Sequence, residues 1–127
     1  MPRILMIEDN ETNRDMLSRR LRRRGFDVVL AVNGSDGIRM ARTEAPDVIL
    51  MDLNMPDIDG WEATRLLKES SDTKHLPIIA LTAHETAGNR ERLIAAGCVE
   101  YHTKPVQLTL LVSQIETILK TLRSDVP

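Results

Sequence analysis

Val48–Ile49–Leu50–Met51–Asp52 is a run of four apolar residues closed by a carboxylate, a length and composition that suit a strand buried on both faces. A half-exposed strand would alternate polar and apolar residues, and this one does not. Runs of the same kind recur on either side of it, at Ile4 to Ile7, Val28 to Ala31 and Ile78 to Leu81, with a weaker one at Val99 to Thr103. Helical patterns fill the gaps: Thr12 to Arg24, Ser35 to Glu44, Trp61 to Glu69 and Thr86 to Ala96. After the last strand, Leu108, Leu111, Val112, Ile115, Ile118, Leu119 and Leu122 follow the i, i+3, i+4, i+7 rule, so one face of a final helix packs on the sheet. Gly25 and Gly97 fall where helices should stop, and Pro46 and Pro77 fall between helix and strand. Five strand–helix units predict an α/β protein, a doubly wound parallel sheet with helices on both faces. Ligands of such folds bind beyond the carboxyl ends of the strands.

The bulk properties narrow the function classes. The chain has 127 residues, 42% hydrophobic and 28% charged, which fits one globular domain over 1–127, structured from about 3 to 123. A net charge of −2 gives no global basic field, so neither nucleic acid nor a membrane surface is an expected partner. A lone cysteine, Cys98, supports neither an internal disulfide nor a multi-cysteine metal site. The apolar run Ile4 to Ile7 is too short for a signal peptide and no stretch approaches a membrane span, which makes the cytoplasm the default.

Chemistry gathers at the strand ends. Glu8 and Asp9 follow the first strand and Asp52 ends the third. Three carboxylates brought to one sheet edge repel, and either their pKa values rise or a cation joins them. Hard oxygen ligands favour Mg²⁺. Thr82 ends the fourth strand and Lys104 follows the fifth, adding a hydroxyl and an ammonium. A carboxylate nucleophile, a divalent cation, a hydroxyl and a lysine together make a phosphoryl-transfer site.

Glu8–Asp9–Asn10, Met51–Asp52–Leu53–Asn54–Met55–Pro56 with Asp59–Gly60, Thr82–Ala83, and Tyr101–His102–Thr103–Lys104–Pro105 resemble the signature of response regulator receiver domains. The pieces occur in order, with 43 residues from Asp9 to Asp52, 30 more to Thr82 and 22 more to Lys104. The resemblance implies a flavodoxin-like strand order of 2-1-3-4-5. It implies that Asp52 is the phosphoacceptor, and that Glu8, Asp9, Asp52 and the backbone carbonyl of Asn54 hold Mg²⁺. It implies that Lys104 pairs with the phosphoryl group, that the Lys104–Pro105 bond is cis, and that small Ala83 leaves the phosphoryl site open. Thr82 and Tyr101 would then form a switch that reshapes the surface of the fourth helix, fifth strand and fifth helix. Asn54 and His84 occupy positions that tune hydrolysis in similar proteins. The implied partners are a sensor histidine kinase or histidine phosphotransfer protein and a downstream protein target. The chain would act as a monomer or a phosphorylation-dependent dimer. It would be a switch that catalyses its own phosphorylation and slow dephosphorylation, rather than a conventional enzyme. Only Ser124 to Pro127 follow the last helical pattern, so no output domain is expected.

Other readings compete with this one. A haloacid-dehalogenase-type phosphatase also uses a strand-end aspartate with Mg²⁺, but its second aspartate would fall at Asn54. A dinucleotide fold needs glycines in the first turn, and Glu8 to Asn13 has none. A relay element that passes phosphate onward to a phosphotransfer protein would carry the same residues. Arg19 to Arg24 holds five arginines around Leu21, either a solvated helix face with Met16, Leu17 and Leu21 turned inward or a docking surface through Arg19, Arg22 and Arg23. His75 is expected exposed, Trp61 and Cys98 in the core, and His102 where an apolar residue is more usual in similar proteins.

Overall fold

The computed structural model describes residues 2–53, 55, 57–82 and 89–124, the side chains of 89 and 122–124 excepted. Strands and helices alternate: β1 (Arg3–Ile7), α1 (Glu11–Arg23), β2 (Asp27–Ala31), α2 (Gly34–Thr43), β3 (Val48–Asp52), α3 (Gly60–Glu69), β4 (Ile78–Thr82), α4 (Asn89–Ala96), β5 (Glu100–Thr103) and α5 (Leu108–Ser124). The strands form one parallel sheet in the order β2-β1-β3-β4-β5. The expected fold class and strand order both hold.

Strand side chains point alternately to the two faces, and each face has its own core. Leu5, Ile7, Ile49, Met51, Ile78 and Ala80 pack with Ala41 of α2, Ala63 and Leu67 of α3 and Leu93 of α4. Ile4, Met6, Val28, Leu50, Ile79 and Leu81 pack with Leu17 and Leu21 of α1 and with Leu111, Val112 and Ile115 of α5. Each fully buried Leu or Ile contributes about 1.5–3 kcal/mol relative to exposure, so the two-faced runs hold the sheet between the helices. Among the described residues no helix is long and apolar enough to cross a membrane.

Capping sets the helix starts on the carboxyl side of the sheet. The side chains of Asn10, Asn33 and Asp59 accept from the backbone N–H groups of Asn13, Asp36 and Glu62 at 2.9, 2.8 and 2.8 Å. Gly25 and Gly97 follow helices with φ of 92° and 115°, a region costly for residues with a Cβ.

Two local expectations change. Met16 does not turn inward but is 43% exposed, and Ser18 takes the buried place beside Leu17 and Leu21, its hydroxyl donating to the Asp15 carbonyl at 3.0 Å. Successive helical residues step by 100°, so a stripe centred on Leu17, Ser18 and Leu21 leaves Met16 outside. The fifth strand begins at Glu100, and Val99 just before it is exposed. The expected start of the fourth helix at Thr86 and the inward place of Leu122 lie outside what is described.

Candidate functional site

Strand register brings the expected residues level. Ile7 pairs with Met51, so one step further Glu8 stands beside Asp52. Asp52 pairs with Leu81, and Thr82 pairs with Thr103, immediately before Lys104. Backbone bonds fix this edge: Glu8 N–H donates to Ala31 O at 3.1 Å and Lys104 N–H to Thr82 O at 2.7 Å. The Lys104–Pro105 peptide bond is cis.

Glu8, Asp9 and Asp52 each offer a carboxylate oxygen, and these oxygens all lie within 4.8 Å of one another. Glu8 and Asp52 are buried, while Asp9 is exposed. Lys104 Nζ reaches in to 3.2 Å from Asp52 Oδ1 and 3.4 Å from Glu8 Oε1. The other Glu8 oxygen, Oε2, is buried and accepts no hydrogen bond among the described residues. Burial first, and then the neighbouring Asp52 carboxyl, push Glu8 up to about 7, with Lys104 pulling the other way. Three carboxylates against one ammonium, with a buried oxygen left over, make a donor set that a hard divalent cation would neutralise.

The remaining expected residues lie at several places in the fold. Thr82 is buried at the end of β4. Tyr101 is half-buried and packs against the core shared by α2, α3 and α4. The Asn54 carbonyl, Ala83 and His84 lie outside the described residues. On α1, Arg19 pairs with Asp15 at 3.2 Å, Arg23 is exposed, and Arg22 donates to the Val28 carbonyl at 3.0 Å, which ties it to β2. His75 is exposed and Cys98 is buried, its thiol pushed up to about 11 by desolvation.

Several supporting residues give little signal in the sequence. Arg14 donates to the Glu8 and Asp9 carbonyls at 3.0 and 3.3 Å, holding the acidic turn from below. Asp57 accepts from the Gly34 and Ser35 backbone N–H groups, both at 3.2 Å, and so fastens the β3–α3 loop to the start of α2. Its own neighbour Ile58 first, and then these α2 donors, hold its carboxyl at about 2. Gly60 was visible in the Asp59–Gly60 pair, and its reason is steric. A Cβ there would lie 2.4 Å from the Asp52 carbonyl oxygen and 2.6 Å from Leu53 Cα.

The pattern of the response regulator receiver domain matches residues 4–116. The chain belongs to that family. Among receiver proteins similar to it, the polar-differentiation response regulator DivK of Brucella anthropi is 33% identical over 120 residues, covering 94% of this chain and 98% of DivK. The receiver domain of the sensor histidine kinase PA1611 from Pseudomonas aeruginosa, solved with a magnesium ion coordinated in its active-site cleft, superposes with a TM-score of 0.86 at 34% identity, over 94% of this chain and 98% of that one. The chemotaxis protein CheY4 of Vibrio cholerae gives a TM-score of 0.86 at 27% identity over 93% and 98% of the two chains. This receiver domain thus has the fold of its family, with the acidic cluster and Lys104 at the carboxyl edge of the sheet.

Proposed function

We propose that this receiver domain is a phosphorylation switch in which Asp52 takes a phosphoryl group from a phosphohistidine on a partner protein. One observation carries the reading: a buried strand-end carboxylate stands 3.2 Å from a lysine ammonium, inside a cluster of like charges. An Asp52 oxygen attacks phosphorus while the P–N bond of the donor breaks, leaving an acyl phosphate on Asp52 and an electron pair on the imidazole nitrogen. Glu8, Asp9 and Asp52, with the Asn54 carbonyl, are the residues that would hold Mg²⁺. Bound there, Mg²⁺ offsets charge on the transferring phosphoryl oxygens. The magnesium in the PA1611 cleft supports this choice of ion. Lys104 transfers its pairing from the Asp52 carboxylate to a phosphoryl oxygen and steadies the product. Thr82 brings its hydroxyl to the new phosphate, Tyr101 turns further inward, and the α4–β5–α5 surface changes for a protein target. Phosphate thereby shifts a population between two shapes.

The donor is a sensor histidine kinase or a histidine phosphotransfer protein. A cavity of about 240 Å³ lined by Met16, Leu17, Arg20, Pro105 and Val106 opens beside Glu8 and Lys104, a place for an apolar partner face next to the reacting carboxylate. Arg20 lines it, and Arg19 and Arg23 on the same helix add positive charge that steers an acidic partner.

A small phosphodonor with Mg²⁺ should add one acid-stable, base-labile phosphoryl group to the protein. Chelation and Asp52→Ala should each abolish it. Labelling that persists unchanged in Asp52→Ala overturns the assignment.

A further inference from the structure

His102 stands in β5 between Tyr101 and Thr103, and it is buried. Its ring is held at both nitrogens. Nε2 lies 3.0 Å from the backbone nitrogen of Gln107, and Nδ1 lies 2.9 Å from Oε1 of Gln114 on α5. A backbone N–H can only donate, so Nε2 must present its lone pair. The other end imposes the same choice. Gln114 Nε2 donates to the Tyr101 carbonyl at 3.1 Å, which turns the amide oxygen toward the ring and requires a proton on Nδ1. Two independent constraints therefore select one neutral tautomer.

This network encloses the loop that carries Lys104. His102 precedes the loop and Gln107 follows it, so the Nε2 bond clasps 103–106 between strand and helix. Gln107 is also where α5 begins its ladder, its carbonyl accepting from Leu111 N–H at 2.9 Å. On the other flank, Lys104 N–H is tied to the Thr82 carbonyl. The backbone of Lys104 is thus held from the sheet and from α5, and its long, flexible side chain starts from a fixed root before reaching Asp52 and Glu8.

We propose that His102, as the Nδ1–H tautomer bound to Gln107 and Gln114, is a positioning residue that aims the Lys104 ammonium at the phosphoryl group. The inference rests on the reading of Asp52 as phosphoacceptor. A space-filling role asks only for bulk, which leucine supplies. A positioning role asks for the Nε2 acceptor, which glutamine supplies with its amide oxygen.

The test uses the full chain, saturating Mg²⁺ and acetyl phosphate as donor, with Mg²⁺ affinity measured separately by titration calorimetry. His102→Leu should slow phosphorylation about tenfold, as misplaced catalytic groups do, with Mg²⁺ affinity unchanged. His102→Gln should recover most of the rate, and ¹⁵N NMR of the wild-type ring should place the proton on Nδ1. A wild-type rate in His102→Leu, equal losses in the two variants, or a proton on Nε2 each overturns the role. If His102→Leu does not fold, Gln114→Leu removes the Nδ1 partner instead, and an undiminished rate there overturns it as well. A wild-type protein that takes no phosphate sinks the Asp52 reading and this inference together, a result distinct from an active wild type with an indifferent leucine variant.

Discussion

Acids collect at both ends of the sheet, and the two ends treat them differently. At the amino edge Arg3 answers its acids: Nε meets Asp27 Oδ2 at 2.7 Å, its backbone N–H meets Asp47 Oδ2 at 2.7 Å, and a second guanidinium nitrogen meets the Glu44 carbonyl at 2.7 Å. Arg3 and Asp27 are about two-fifths exposed, so water shares the charge. At the carboxyl edge three carboxylates gather, Lys104 reaches the two buried ones, and an oxygen of Glu8 is left over. A saturated, wet cluster fastens a fold. A dry cluster short of positive charge stores repulsion that an incoming cation releases.

The contrast is tested most severely at Lys104. Without Mg²⁺, Lys104→Met leaves Asp52 and Glu8 buried without their ammonium and should lower stability by about 2 kcal/mol, discounted for the lysine's partial exposure. Urea denaturation with and without Mg²⁺ measures it, and added Mg²⁺ should recover most of the loss. Mg²⁺ should still bind this variant, because the carboxylates remain, but phosphorylation-dependent output should disappear. A Lys104→Met protein as stable as wild type would erase the distinction between the two ends.

Glu8→Gln should act in the opposite direction, raising stability by about 1 kcal/mol in the absence of Mg²⁺ while weakening Mg²⁺ binding. The pH dependence carries the same sign. Glu8 titrates near 7 when folded against 4.5 ordinarily, so the folded state binds the extra proton between those values. Stability from this group is therefore lost as pH rises from 4.5 through about 7, and the slope should vanish in Glu8→Gln. Asp57 supplies the reverse case. Its contribution is present above the ordinary 3.8 and is lost as pH falls through about 2. Denaturation midpoints across this range separate the two groups.

The smallest effect belongs to the amino edge. Asp27→Ala should cost about 0.5 kcal/mol, fading with salt and indifferent to Mg²⁺, as exposed ion pairs do. A loss of several kcal/mol there would mean that both clusters are built alike.

The centre of the sheet was legible because β1, β3 and β4 are buried on both faces and read as unbroken apolar runs, whereas the edge strands β2 and β5 are only partly buried. Asp52 and Thr82 were legible because they close such runs and Glu8 because it follows one, whereas Lys104 follows the weaker, polar β5. Met16 was misplaced because two apolar neighbours on a helix lie 100° apart, and the sequence does not say which of them meets the sheet. Arg14, Asp57 and the partners of His102 act through backbone carbonyls, amides and a glutamine side chain. Those contacts exist only after the loops have closed, and their residue types have many other uses on a surface. His102 itself stood out only as a polar residue in an apolar place, and its two bonds to the start and second turn of α5 explain how it fits there.

Trp61, the chain's single tryptophan, lies beneath the Arg92 guanidinium of α4, 5.0 Å from the ring centroid. Its indole sits at the joint between α4 and the helix whose first residue abuts the Asp52 carbonyl. A sliding α4 would carry the cation across the ring face and change the indole's emission. Trp61 emission is therefore a gauge for any movement of α4, and it needs no dye attached.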